Sequence, residues 1–98
     1  MKDFYLTNKE DEEQFFINNN WLICSLILNG IEKSMKENLD TYEIFRIHNL
    51  YEHTTSEYNV NKKEWLKSLN KCLEFFLSVE EYEICVKIRN MITKITKN

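Results

Sequence analysis

Apolar residues recur along much of the chain at intervals of three and four, which is the spacing of an amphipathic helix. The clearest run covers residues 65–77, where lysine and asparagine occupy the side opposite one apolar stripe: Trp65, Leu66, Leu69, Cys72, Leu73, Phe76 and Leu77. Residues 79–97 carry two stripes, one with Ile84, Ile88, Met91 and Ile95 and the other with Tyr82, Cys85, Val86 and Ile92. The short connection between the runs predicts an antiparallel helical hairpin.

The first half of the chain shows weaker versions of the same pattern. Residues 9–38 predict either one long helix or two, with a break at Asn18–Asn20, because asparagine is poor inside helices and good at their ends. The run Trp21–Leu28 is apolar on all sides and predicts a helix that is either central in the core or partly an interface. Residues 41–54 space Ile44 and Ile47 as a further helix would, and the polar residues 54–61 predict a loop.

Composition supports a helical fold. The chain of 98 residues has no proline, no alanine and a single glycine, Gly30. Sheet proteins of this size need several tight turns, which usually recruit glycine or proline. We therefore predict one all-α domain over residues 1–98, a compact bundle of four to five helices ending in an antiparallel hairpin.

The stretch from Tyr82 to Ile92 resembles the second helix of UVR-type hairpins, which read aromatic, Glu, any residue, two small apolar residues, any residue, aliphatic, Arg. The resemblance extends over residues 65–95. It departs from the family at Cys85-Val86, where two alanines are usual, and at Asn90, where an acid is usual. In that family the hairpin is a protein-interaction module of repair-nuclease subunits and chaperone adaptors, so the resemblance implies a binding role.

The chemistry-bearing residues predict no catalytic, cofactor or metal site. His48 and His53 are five positions apart, so on a helix they do not share a face as zinc ligands do. The three cysteines lie in apolar runs without C-x-x-C spacing, which indicates buried thiols in a reducing compartment. The carboxylates cluster at predicted helix starts, and one glycine cannot build a phosphate-binding loop. We predict that the protein is not an enzyme.

Charge and hydropathy restrict the partners. The net charge of −3, with both signs interspersed, disfavours direct binding of nucleic acid. The apolar stretch Trp21–Leu28 is too short to span a bilayer, and the acidic, aromatic N-terminus does not resemble a signal peptide. We expect a cytoplasmic protein that does not bind membranes.

A partner-binding site is the remaining expectation. Several aromatic residues lie off the main stripe of their predicted helix, and Tyr and Arg are favoured at binding hot spots. The acidic run at residues 10–13 has the charge to steer a basic partner, or is simply a solvated first helical turn. The candidate residues are Tyr42, Phe45, Phe75, Tyr82, Arg89, Glu12 and Glu13.

These observations predict a protein that binds and modulates another protein or a ribonucleoprotein. Small size, acidity and a composition typical of AT-rich genomes give it the profile of a bacterial or phage inhibitor, such as an immunity protein or an anti-CRISPR protein. Two alternatives stay open. One is a structural or adaptor subunit that self-associates, for example as a homodimer, and the other is an RNA- or DNA-contacting factor.

Overall fold

Strands and helices both contribute to the fold, so the prediction of an all-α bundle is wrong. The computed structural model describes residues 2–7 and 12–97. Within them the elements are β1 (Lys2–Leu6), α1 (Glu12–Asn18), α2 (Asn20–Glu37), β2 (Thr41–Asn49), β3 (Thr54–Asn61), a 3-10 turn (Lys62–Glu64), α3 (Trp65–Ser78) and α4 (Tyr82–Thr96). The protein is therefore α+β, with the chain order β-α-α-β-β-α-α.

The three strands form one mixed sheet with β2 in the middle. Strand β1 runs parallel to β2, and the pairing places Phe4 opposite Ile47. Strand β3 runs antiparallel to β2, and there His48 lies opposite Thr55. A parallel pair needs a long crossover connection, and the helices α1 and α2 provide it.

Strand β2 was mistaken for a helix because an irregularity interrupts its alternation. The register shifts between Glu43 and Phe45, so the neighbouring residues Ile44 and Phe45 are both buried. The buried positions Ile44 and Ile47 then differ by three, which imitates helical spacing. The β-branched and aromatic composition of this segment was the stronger signal, because such side chains favour strands.

Strand β3 is rich in polar residues, which explains why this segment was predicted to be a loop, and the turn before it contains no glycine or proline to mark a hairpin. The side chain of Asn49 accepts a hydrogen bond from the backbone N–H of Glu52 at 2.9 Å. His53 takes a left-handed conformation with φ of 58°. An Asx turn and one left-handed residue therefore close the hairpin in place of glycine.

The predicted helices agree better with the structure than the predicted loop does. The break predicted at Asn18–Asn20 is confirmed, because α1 ends at Asn18 and α2 begins at Asn20. Between them Asn19 leaves the helical conformation, and its side-chain amide donates to the carbonyl oxygen of Phe15 at 2.9 Å. The hairpin of α3 and α4 is also present, with a connection at residues 79–81.

Helix α2 lies between the sheet and α3 and contacts both. At Gly30 its backbone approaches the sheet closely: a Cβ atom added there would lie 3.4 Å from Ile44 Cγ1 and from Tyr42 Cδ1, and 3.6 Å from Val60 Cγ2. The largest fully buried side chains come from sheet and helices alike: Phe45, Phe76, Ile31, Ile47, Leu69 and Ile88. One core therefore joins all the layers.

We predict that Gly30→Ala stabilises the protein. Alanine is favoured over glycine inside a helix by about 1 kcal/mol, and the added methyl group would meet its neighbours at ordinary contact distances. The free energy of unfolding, measured by urea denaturation, should rise by about 0.5–1 kcal/mol. Asn29→Ala, at the exposed neighbouring position, is the control for helix propensity alone. A loss of stability in Gly30→Ala alone would show that the sheet leaves no room for a methyl group.

Candidate partner-binding surface

Helix α4 presents an outer face that no other element covers within the described residues. Tyr82, Val86 and Arg89 follow one another at helical spacings of four and three, and all three are exposed. The exposed fractions of Tyr82 and Val86 are 61% and 55%. The second predicted stripe of α4 is therefore buried only in part, because α4 packs chiefly against α3 and its contact with α2 does not cover Tyr82 and Val86.

Exposed apolar residues continue from this face into the hairpin turn. Leu77 and Val79, at the end of α3, are 37% and 42% exposed. The turn is held by backbone hydrogen bonds from Val79 to Phe75 and from Glu81 to Phe76, at 3.2 and 2.9 Å. We call the set Leu77, Val79, Tyr82, Val86 and Arg89 the hairpin surface. Single exposed apolar residues are ordinary on a protein, whereas large contiguous patches are typical of interaction sites, so this surface is the candidate site.

Phe75 is only half-buried, but it packs against other aromatic rings and is therefore not part of the hairpin surface. It packs edge-to-face against Trp21, with 6.3 Å between ring centroids, and against Phe76 at 5.2 Å. Trp21 itself is 44% exposed, although its position on the stripe of a central helix predicted burial. The start of α2 thus places an aromatic ring at the surface that the sequence pattern did not reveal.

Tyr42 and Phe45 lie on strand β2 and not on a helix. Phe45 is 1% exposed and stacks on Tyr58 with 4.8 Å between ring centroids, so the prediction that it contacts a partner is wrong. Tyr42 is half-buried beside Gly30, and the Nζ atom of Lys33 lies 5.6 Å from its ring centroid. Neither aromatic residue belongs to the hairpin surface.

The two acidic candidates differ in their surroundings. Glu12 accepts a hydrogen bond from the Ser56 hydroxyl at 2.6 Å and another from the Tyr58 hydroxyl. It therefore joins α1 to strand β3. Glu13 is exposed, and Glu10 and Asp11 lie outside the described residues. Of the two candidates, Glu13 is the carboxylate available for steering.

The contact with Glu12 changes the ionisation of Tyr58. Burial raises the pKa of Tyr58 to about 12, and the hydrogen bond and negative charge of Glu12 act in the same direction. All these effects favour the neutral phenol over the phenolate. The Glu12–Tyr58 pair is therefore stable only while the tyrosine keeps its proton.

The uncovered face of the sheet carries a polar network centred on His48, which sequence reasoning missed. The Nε2 atom of His48 lies 2.9 Å from Asp3 Oδ1, and Nδ1 lies 3.1 Å from Thr55 Oγ1. Tyr5 stacks on the imidazole, with 4.8 Å between ring centroids and 16° between ring planes. Because an ionised carboxylate only accepts, a neutral His48 donates from Nε2 and accepts the Thr55 hydroxyl at Nδ1.

The order carboxylate, imidazole, hydroxyl is also the order found in nucleophilic catalysis. Here Asp3, His48 and Thr55 come from three neighbouring strands, and Thr55 and Asp3 are exposed on the sheet surface. Such cross-strand pairs stabilise a sheet by themselves. We interpret the network as a set of cross-strand side-chain hydrogen bonds that stabilises the sheet. The pairing register of the strands brings these residues together. The network could therefore not be predicted while β2 was interpreted as a helix and β3 as a loop.

The same face offers little positive charge to a nucleic acid. The Arg46 guanidinium lies 3.0 Å from Glu43 and 3.5 Å from Glu57. The hydrogen bond and charge of Glu43 raise the pKa of Arg46, and Glu57 adds to this. Within the described residues, no three His, Cys, Asp or Glu side chains are grouped so as to hold a metal ion.

None of the family models, curated proteins or solved structures compared with the chain matches it. The resemblance of residues 65–95 to UVR-type hairpins therefore rests on the residues quoted above. No helix in the described part of the chain combines the length and the apolar character that crossing a membrane would require.

We predict a stability loss at high pH that depends on Tyr58. Because folding raises its pKa, the neutral phenol contributes stability that is complete below pH 10 and is lost as the pH rises to about 12. In wild type the free energy of unfolding should fall more steeply over this range than in Tyr58→Phe, as measured by urea denaturation. Tyr82→Phe, at an exposed ring, is the control for loss of a hydroxyl group. Equal slopes in wild type and Tyr58→Phe would contradict the effect.

Proposed function

We propose that this protein is a non-enzymatic binding module that engages another protein or a ribonucleoprotein through the hairpin surface and modulates it. The observation that carries the proposal is the exposure of Tyr82, Val86 and Arg89 along one face of α4. Tyrosine and arginine dominate binding hot spots, and Val86 between them supplies apolar area that becomes buried on contact.

The buried side of α4 also favours binding by its exposed side. Cys85, Ile88 and Met91 anchor the opposite side of α4 in the core, so the helix keeps its shape without a partner. A surface that is already ordered loses little conformational entropy on association. An exposed helix face of this kind fits an apolar groove, with anchors at intervals of three and four residues.

The proposed biological role rests on the small size, the acidity and the composition of the chain. A small acidic domain that occludes a partner suits an inhibitor from a bacterium or phage, of the immunity or anti-CRISPR kind. We place its action in the cytoplasm, and the unpaired thiols of Cys24, Cys72 and Cys85 support a reducing compartment.

Self-association is the second candidate, and the charge distribution of α4 favours it over nucleic-acid binding. The first turn of the helix carries Glu83 and its last turn carries Lys94. Two copies of α4 packed antiparallel would place the acidic start of each against the basic end of the other. The hairpin surface would then be the interface of a homodimer.

Val86→Asp should abolish partner binding, because it places a charge in the centre of the apolar face. Tagged wild-type protein should retain one stoichiometric partner from an extract of the source cells, detected by native mass spectrometry. The variant should lose that partner or weaken its binding by more than about tenfold. Asn29→Asp adds the same charge at an exposed position of α2 and should retain the partner.

The same spectra separate the two candidates. Recovery of wild type only as a dimer that Val86→Asp converts to a monomer would replace the first proposal with self-association. A partner retained equally by both variants would show that binding uses another surface.

The steering role of the acidic α1 start is tested with Glu13→Lys. Glu12 is unsuitable for this test because it holds Ser56 and Tyr58. At low salt we expect the association rate constant for the partner to fall about two- to tenfold while the dissociation rate constant stays unchanged. Surface plasmon resonance at two salt concentrations measures both. An association rate that does not change at low salt would remove the steering role.

A further inference from the structure

Strand β3 forms one edge of the sheet, and the backbone groups on its outer side have no protein partner within the described residues. There β3 pairs with β2 alone, and no further backbone hydrogen bond reaches Thr54–Asn61. An unpaired edge presents a row of N–H and C=O groups that can pair with one more strand. At eight residues, β3 is long enough to hold such a strand by main-chain hydrogen bonds.

Strand β3 also lacks the features that usually protect an edge strand from pairing, which are lysine, proline and bulges. It contains no lysine or proline, and Glu57 is its one charged residue. The irregularity of the β2–β3 ladder lies on β2, between Glu43 and Phe45, so β3 itself is continuous. The opposite edge strand, β1, has five residues and carries Lys2 and Asp3. Of the two edges, β3 is therefore the one open to pairing.

We propose that the outer edge of β3 pairs antiparallel with β3 of a second copy of the chain, so that two three-stranded sheets join into one. The two-fold axis of such a dimer is perpendicular to the sheet, because both copies use the same edge. Side chains alternate between the two faces of a strand, and residues opposite each other share a face. The axis must therefore pass through a residue of β3 and not between two residues.

Charge selects the register of this pairing. Registers centred on Glu57 and on Tyr58 both align all but one residue of β3. The first places the Glu57 carboxylates of the two copies directly opposite each other, which is unfavourable. The second places Glu57 opposite Asn59 of the second copy, whose amide can donate a hydrogen bond to the carboxylate. In this register β3 is complementary to itself, which is the reason for assigning the edge to a second copy.

The other contacts of this register are compatible with a stable pair. On the open face, Thr55 lies opposite Asn61 of the second copy, so both side chains meet a polar neighbour. On the side that faces α2, Tyr58 meets Tyr58 of the second copy at the axis, and cross-strand aromatic pairs stabilise antiparallel sheets. Glu57 keeps its contact with Arg46 of its own chain at 3.5 Å. The dimer therefore leaves no carboxylate of β3 unpaired.

This interface is separate from the hairpin surface. Helix α4 packs chiefly on α3, whereas β3 is an edge of the sheet on the other side of α2. The proposal therefore does not depend on the proposed function, and Val86→Asp should dimerise as wild type does. One pair of strands makes a small interface, so we expect a dissociation constant on the order of 100 μM.

Sedimentation equilibrium from micromolar to millimolar protein measures the dimer, and Asn59→Glu tests its register. This change places a carboxylate opposite Glu57 at two symmetric positions and should raise the dissociation constant at least about threefold. Asn29→Glu, which adds the same charge at an exposed position of α2, should dimerise as wild type does. Because Asn59 also lies opposite Glu43 of its own sheet, urea denaturation checks that the variant is folded.

Two further measurements do not rely on a disruptive change. Asn59→Lys places an ammonium group opposite Glu57 of the second copy and should lower the dissociation constant about two- to fivefold. In a mixture of ¹⁵N-labelled and ¹³C-labelled wild type, isotope-filtered NMR should show nuclear Overhauser effects between Glu57 of one copy and Asn59 of the other.

Three results would overturn the proposal. A wild type that stays monomeric at millimolar concentration would show that the β3 edge remains solvated. A dimer that Val86→Asp dissociates would use the hairpin surface instead. A dimer that responds in the same way to Asn59→Glu and to Asn59→Lys would not place residue 59 opposite Glu57.

Discussion

Helix α2 is the element on which the rest of the structure depends, because it contacts both the sheet and α3. On one side Gly30 lies against Ile44 and Val60. On the other side the Cys72 thiol lies 3.8 Å from the carbonyl oxygen of Cys24. The hydrogen bond with Cys24 and then burial raise the pKa of Cys72, so this thiol stays neutral and packs as a small apolar group. Without α2 neither the sheet nor the helical hairpin would cover its own apolar face.

This arrangement decides which surfaces stay uncovered. Helix α3 is enclosed by α2 and α4, whereas α4 packs chiefly on α3 and reaches α2 through contacts such as the ion pair of Lys87 with Glu32 at 3.1 Å. Its side opposite Ile88 therefore keeps Tyr82 and Val86 exposed. The sheet likewise has one side on α2 and one side open, and polar residues there have partners on the sheet itself: His48 contacts Asp3 and Thr55, and Arg46 contacts Glu43 and Glu57. The exposed apolar residues of α4 have no such internal partner.

The sequence predicted correctly those features that depend on local periodicity. Helices α3 and α4, and the break near Asn19, follow from spacing and from asparagine chemistry within a few residues. The positions of Tyr82 and Arg89 on one helix face followed for the same reason. Their exposure did not, because it depends on which other elements pack against α4.

The sequence did not predict the β-sheet, and the reason is physical. Strand β3 alternates Ser56, Tyr58 and Val60 inward, but the polar residues between them hide the period of two. Strand β2 loses its period at the shift between Glu43 and Phe45. Long-range pairing fixes both segments as strands, and the β-branched and aromatic composition of β2 agrees with it. Phe45 was misplaced as a consequence, because a residue that lies off the stripe of a false helix can be central to a real sheet.

The absence of alanine bears on how closely the helices of this core approach one another. Close approach of two helices needs small side chains at the contact, and this chain offers one glycine and no alanine. The glycine is used where α2 meets the sheet. Met35, Ile95 and Trp65 lie where the end of α2, the start of α3 and the end of α4 meet, and a gap of about 480 Å³ remains between them. The gap is consistent with a core built from large side chains, which do not let the ends of these helices close on one another.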